Sequence, residues 1–133
     1  MNQQELSKIL EQHKLWVKSD GKQGKRIALD RLNLRDRDLV GADLREADIR
    51  RSDLRNVDFR GADLSGADFE DSILRGANLL GADFTSADLT GAKFDLNFRE
   101  VGWFSYATVS KDQLCWLALH PHYSEFADTL TVV

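Results

Sequence analysis

The sequence predicts an all-β solenoid whose coil turns through four short sides every twenty residues, and three observations carry this. First, a large apolar residue recurs every five positions without a slip, at Leu29, Leu34, Leu39, Leu44, Ile49, Leu54, Phe59, Leu64, Phe69, Leu74, Leu79, Phe84, Leu89 and Phe94. Five steps scatter side chains around a helix and reverse the face of a strand, so the chain has to turn once per repeat. Second, a small residue stands two positions earlier in most units (Ala42, Ala47, Ala62, Ala67, Ala77, Ala82, Ala87, Ala92), and in extended backbone that offset puts both side chains on the inner side. Third, a longer period is superposed: RLNLR from Arg31, RSDLR from Arg51 and DSILR from Asp71 lie twenty residues apart, as does GAD at Gly41, Gly61 and Gly81.

The elements follow in chain order. Between Gln3 and Lys18, Leu6, Ile9, Leu10, His13, Trp16 and Val17 fall on one stripe of a 3.6-residue period, so residues 1–26 are expected to form a capping helix and linker. Ser19-Asp20-Gly21 stops the helix, whose apolar stripe would cover the open first coil. Residues 27–98 form the coils, about 3.5 of them, stacked at ~4.8 Å. Asn33, Asp38, Asp43, Asp48, Asp53, Asp58, Asp63, Asp68, Asn78, Asp83 and Asp88 sit between the two inward positions and point out, where a short polar side chain hydrogen-bonds turn backbone. Residues 99–133 form a C-terminal cap. Trp103, Phe104, Tyr106 and Val109 suggest a last extended segment, and Ser110 with Gln113 resembles a capping box for a short helix from Lys111 to about His120 before Pro121. The tail from His122 to Val133 either caps the stack or pairs with a second copy.

Runs such as GADLREADIRRSDL, GADLSGADF and GANLLGADFTSADLTGAKF resemble the A(D/N)LXX signature of pentapeptide repeat proteins. That resemblance covers about half the chain and implies a right-handed quadrilateral β-helix. The departures are Arg37 at an inward small-residue position, which challenges the packing of the first coil, Ile73 and Lys93 in place of the outward Asp, and Ser52 and Ser72 in place of Ala.

Composition narrows the function. With 133 residues the chain makes one compact domain, and a net charge of −4 argues against a general nucleic-acid binder. No apolar run approaches the ~20 residues of a membrane span, and the N-terminus lacks the apolar core of a secretory signal. A single cysteine, Cys115, cannot close an intramolecular disulfide, which agrees with a reducing, cytoplasmic location. His120-Pro121-His122 beside Cys115 offers zinc-ligand types, but structural zinc takes four ligands and the remaining histidine, His13, lies at the opposite cap. Cys115 in the apolar run Leu114 to Leu119 reads as a small hydrophobe rather than a nucleophile for His120. The Asp columns recur on every side, as turn chemistry demands and a localised site would not. A coil filled by Leu and Phe leaves no pocket for a substrate. The expectation is therefore no catalytic, cofactor or metal residues.

Two faces remain. Arg35, Arg55 and Arg75 would form a vertical row of like charge, with Asp36 and Asp53 beside its lower half. From Gly61 to Phe98 the acids, including Asp63, Asp68, Glu70, Asp71, Asp83 and Asp88, outnumber Arg75 and Lys93. Such a face is either solvated surface or an electrostatic docking site. The expected function is a non-catalytic protein-interaction module whose partner the sequence does not name. The alternative follows from the resemblance: some pentapeptide repeat proteins mimic DNA and bind DNA gyrase or topoisomerase IV, inhibiting it or protecting it from quinolones. Here that would require a tail-to-tail homodimer, because ~17 Å of rod is short for a DNA mimic.

Overall fold

The computed structural model describes residues 1–133, the side chains of Leu96, Arg99, Cys115 and Trp116 excepted. The outward positions from Ala28 to Ile73 each bridge in parallel to the residue twenty later, beginning with Ala28 to Asp48, Asn33 to Asp53, Asp38 to Asp58 and Asp43 to Asp63. Four ladders therefore rise side by side, one per side of the coil. Each rung has two bonds: Asp48 N donates to Ile27 O at 2.9 Å, and Leu29 N to Asp48 O at 2.7 Å. The ladders continue past the apolar pattern, from Asp83 to Trp103 and Asp88 to Thr108.

The paired inward positions make the core. Leu34, Leu39, Leu44, Ile49, Leu54, Phe59, Leu64, Phe69, Leu74, Leu79, Phe84, Leu89 and Phe94 are all buried, with Ala47, Ala62, Ala67, Ala77, Ala82, Ala87 and Ala92 beside them. Leu29, on the open first coil, is only half-buried. The phenylalanines form a chain of ring contacts, from Phe69 to Phe84 at 5.4 Å, Phe84 to Phe98 at 6.2 Å and Phe98 to Phe104 at 5.3 Å. The two serines that replace alanine are buried but satisfied. Ser72 Oγ donates to Ile49 O at 2.7 Å, and Ser52 Oγ to Leu29 O at 3.2 Å. Arg37 does not enter the core. It turns out to donate to Met1 O through Nε at 3.1 Å and Nη2 at 2.8 Å, so a long cation is accommodated where the first coil has no neighbour above it.

Helix α1, Gln3–Lys18, opens with a capping box in which Asn2 accepts from Glu5 N and Glu5 from Asn2 N. Its predicted stripe faces the first coil: Leu6 and His13 are buried, and Ile9, Leu10, Trp16 and Val17 half-buried. The return from the helix depends on Gly24, at φ +73°, where an added Cβ would lie 2.2 Å from Gln12 O. No L side chain fits there.

His13 ties α1 to the coil at two points. Its Nδ1 accepts from Ile27 N at 2.9 Å, and its Nε2 reaches Arg45 O at the same distance, so the ring is neutral with the proton on Nε2. Burial lowers its pKa from 6.5, against the opposing influence of the Arg45 carbonyl and Asp43, and with Arg26 and Arg45 also disfavouring the cation. A group whose folded pKa is depressed contributes stability that is complete above the unfolded value and lost as pH falls through the folded one. The attachment of α1 is therefore expected to be pH-independent above about pH 6.5 and to weaken steadily below it. Hydrogen exchange at the Ile27 amide checks this; exchange that does not accelerate between pH 7 and pH 5, after correction for intrinsic rates, would refute it.

At the far end, β1 (Thr108–Val109) pairs in parallel with β2 (Thr131–Val132), which lays the tail on its own stack. The predicted helix from Lys111 to His120 is shorter than its capping signal suggests. A 3₁₀ turn at Lys111–Gln113 leads into α2 (Leu114–Leu117), and a separate α3 (Tyr123–Phe126) follows. The reason lies in Gln113 and His120. Gln113 Oε1 accepts from Ser110 N at 2.8 Å, as the capping box requires, but its Nε2 donates to Leu89 O and Ala92 O, and His120 Nε2 lies 2.6 Å from Val101 O, so both side chains are also tied to the stack.

Side-chain amides end three of the ladders where the next coil is missing. Ala92 O and Ala77 O occupy positions that in a complete coil accept a backbone N–H from the next rung. They receive Gln113 Nε2 at 2.8 Å and Asn97 Nδ2 at 3.0 Å instead. At the first coil, Gln3 closes the Asp38 rung from both sides, with Nε2 donating to Asp38 O at 3.0 Å and Oε1 accepting from Asp38 N at 3.2 Å.

Candidate interaction faces

The outward carboxylates are first of all turn devices. Oδ1 of Asp38, Asp43, Asp48, Asp53, Asp58, Asp63, Asp68, Asp83 and Asp88 each accepts the backbone N–H two residues on, as do Asn33 and Asn78. What distinguishes them is the side chain that follows. Arg45, Arg50, Arg55 and Arg60 stand two residues after Asp43, Asp48, Asp53 and Asp58, and each folds back to grip its carboxylate through Nε and Nη2. These forks hold all four carboxyls below the usual carboxylate range. The signal is present in the sequence as Asp-x-Arg, four times between Asp43 and Arg60, although turn chemistry alone accounts for each Asp.

From residue 61 onward the forks stop. The positions two after Asp63, Asp68, Asp83 and Asp88 hold Ser65, Glu70, Thr85 and Thr90. Asp63 and Asp68 borrow distant help from Arg45 at 3.7 Å and Arg50 at 3.6 Å, whereas among the described residues no ion pair reaches Asp83 or Asp88. Carboxylate oxygens of Asp68, Glu70 and Asp88 converge within 4.8 Å of one another. Asp71 lies on the adjacent corner, its carboxylate over Gly91. Trp103 continues the Asp43, Asp63, Asp83 ladder as its next rung and is 54% exposed, and Tyr106 on the next corner is 65% exposed.

The arginine row is less uniform than its spacing suggests. Arg55 is forked to Asp53, while Arg35 follows Asn33 and Arg75 follows Ile73, neither of which can form that pair. Asp36 favours the charged form of Arg55, and Arg35 that of Asp53. His120 is buried with Nδ1 accepting from His122 N at 3.0 Å and Nε2 on Val101 O, so both ring nitrogens are committed to backbone. The side chain of Cys115, expected to be a small hydrophobe, lies outside the described residues.

The five-residue register, the i to i+20 rungs and the inward Ala/Leu pairs belong to one kind of chain. The family model for pentapeptide repeats matches in eight copies, over residues 29–66 and 62–96. The chain belongs to the pentapeptide repeat family. Its coil is accordingly that family's right-handed β-helix. None of the curated proteins matches the sequence. Among solved structures, a pentapeptide repeat protein of the Arabidopsis thaliana thylakoid lumen is 22% identical, with 68% of this chain and 76% of that one covered and a TM-score of 0.38. The plasmid-mediated fluoroquinolone resistance protein QnrB1 is 24% identical over 59% of this chain and 50% of its own, with a TM-score of 0.38. HetL, involved in heterocyst differentiation regulation in the cyanobacterium Nostoc sp. strain PCC 7120, is 29% identical over 54% of this chain and 35% of its own, at 0.24. The pentapeptide repeat chain described here thus spans half or less of the length of the latter two. Among its described residues no helix is long and apolar enough to cross a membrane.

Proposed function

We propose that this pentapeptide repeat protein is a non-catalytic interaction module: a rod of about 3.5 to 4 coils, closed by α1 and by residues 99–133, that docks a basic protein surface on its C-terminal acidic half. The observation that carries this is the change in pairing along one rod. Where arginine forks neutralise the Asp ladders the surface is self-satisfied, and where they stop, Asp83 and Asp88 have no ion-pair partner among the described residues and stand near exposed Trp103. Exposed carboxylates with an aromatic neighbour suit an Arg- or Lys-rich partner, through charge steering and cation–π contact. A single cysteine fits a reducing cytoplasm for that encounter.

The test uses a substitution that the chain itself makes. Asn33 and Asn78 keep the turn hydrogen bond without charge, so Asp83→Asn with Asp88→Asn discharges the face while preserving the fold. Affinity capture from native cytosol is expected to retain a partner that this pair weakens by about tenfold at low salt, with less difference at high salt. Equal capture by the Asn pair, or loss confined to an Arg35, Arg55 and Arg75→Glu variant, would move the site to the arginine row. Capture of gyrase would instead favour the DNA-mimic reading, and light scattering would then have to find the dimer it needs.

A further inference from the structure

The first coil exposes a strand edge that is closed in one place and open in another. Gln3 supplies both hydrogen bonds of the missing rung at Asp38. At Ala28, which is exposed, neither the N–H nor the C=O meets a partner among the described residues, although its neighbours Ile27 and Leu29 are fully engaged. Beside that rung a cleft of about 290 Å³ runs between α1 and the coil, walled by Ile9, Ile27 and Leu29 and lined by Lys8, Lys25 and Arg26. It contains three cations and no carboxylate. The depressions beside the open Asn33 and Asp43 rungs differ, since one includes Asp36 among its lining and the other Glu11, Asp38 and Asp43.

We infer that the Ala28 edge is a second binding site, one that takes an extended acidic peptide as an added parallel strand. The rod's own rungs supply the geometry. Ala28 N–H would donate to one peptide carbonyl, and Ala28 C=O would accept the N–H two residues farther on, as Ile27 and Leu29 flank Asp48 in the coil below. Apolar side chains of the peptide would rest on Ile9 and Leu29, and its carboxylates would meet Lys8, Lys25 and the guanidinium of Arg26, which is already held by Glu46 O at 2.7 Å and packed 5.8 Å from the Trp16 ring. The cations have a double consequence: they discourage neutral or basic strands from joining a bare edge and admit an acidic one. The site lies on the first coil, apart from the acidic half, and does not depend on the function proposed above.

The experiment titrates the full chain, ¹⁵N-labelled, with a five-residue blocked peptide of alternating glutamate and valine. The same peptide with its central amides N-methylated, and a lysine counterpart, serve as controls. The expected result is a saturable shift of the Ala28 amide with the glutamate peptide, lost on N-methylation and absent with lysine. Lys8→Glu combined with Lys25→Glu, both exposed and away from the core, is expected to weaken binding about tenfold. No shift at Ala28 up to millimolar peptide, binding indifferent to N-methylation, or equal binding of the lysine peptide would each overturn the proposal. So would a rise in mass without peptide that is lost in the Lys8/Lys25 variant, since a second copy would then occupy the edge.

Discussion

Phe84→Ala is expected to destabilise the rod by about 3–5 kcal/mol. Phe84 is fully buried, and its ring sits between Phe69 at 5.4 Å and Phe98 at 6.2 Å. A cavity there cannot collapse readily, because the backbone on either side is held by rungs: Phe84 N donates to Trp103 O at 2.7 Å and Leu64 N to Asp83 O at 2.8 Å. Coils can approach one another no further than their hydrogen bonds allow. Phe84→Leu should cost much less, since Leu64 fills the same position one coil earlier. In a linear stack each coil leans on its neighbours, so the alanine variant is also expected to lose its C-terminal coils before its N-terminal ones. Urea unfolding followed by hydrogen exchange measures both. A loss below about 1 kcal/mol would mean that the aromatic chain repacks, contrary to the rigidity argued here.

Gln113→Leu should cost about 2–4 kcal/mol, although it replaces a polar side chain in the interior with an apolar one of similar size. Gln113 is 2% exposed and donates to both Leu89 O and Ala92 O. Leu89 O keeps its turn partner, Ala92 N at 2.9 Å, but among the described residues Ala92 O is left with no donor, and Ser110 N loses its Oε1 acceptor. A stranded buried carbonyl costs more than the hydrogen bond it formerly made was worth. Gln113→Glu separates shape from donation, since it retains the length and loses the N–H. Thermal unfolding of the three proteins should therefore place both variants well below the parent. A leucine variant as stable as the parent would show that solvent reaches Ala92 O and that the amide closure is dispensable.

The solenoid was legible because a period of five leaves one physical solution. Leu54 and Leu74 share an inner column for the same reason that Asp53 bridges Ile73: once each unit turns identically, twenty residues must return the chain to the same side. The helix Gln3–Lys18 was equally plain, its stripe being a local property. The candidate faces were only half legible. The acidic excess after Gly61 could be counted, but the Asp-x-Arg forks turned apparently free charges before that point into closed pairs, including Arg55 in the row taken as a candidate site.

What the sequence determined by itself is the repeat: coil period, inward pairs, turn acids and family follow from local spacing repeated without interruption. What tertiary structure alone decided is how the repeat ends. Gln3 and Asn97 carry no pattern and Gln113 only that of a helix cap, yet each closes backbone groups between 20 and 35 residues away, because an amide offers a missing rung's donors at that point. His13 likewise looked like one more member of an apolar stripe and proved to bind the coil through both nitrogens. A repeated interior satisfies itself and so announces itself in sequence, whereas an edge is satisfied by whichever single side chain reaches it, and that is settled only when the chain has folded.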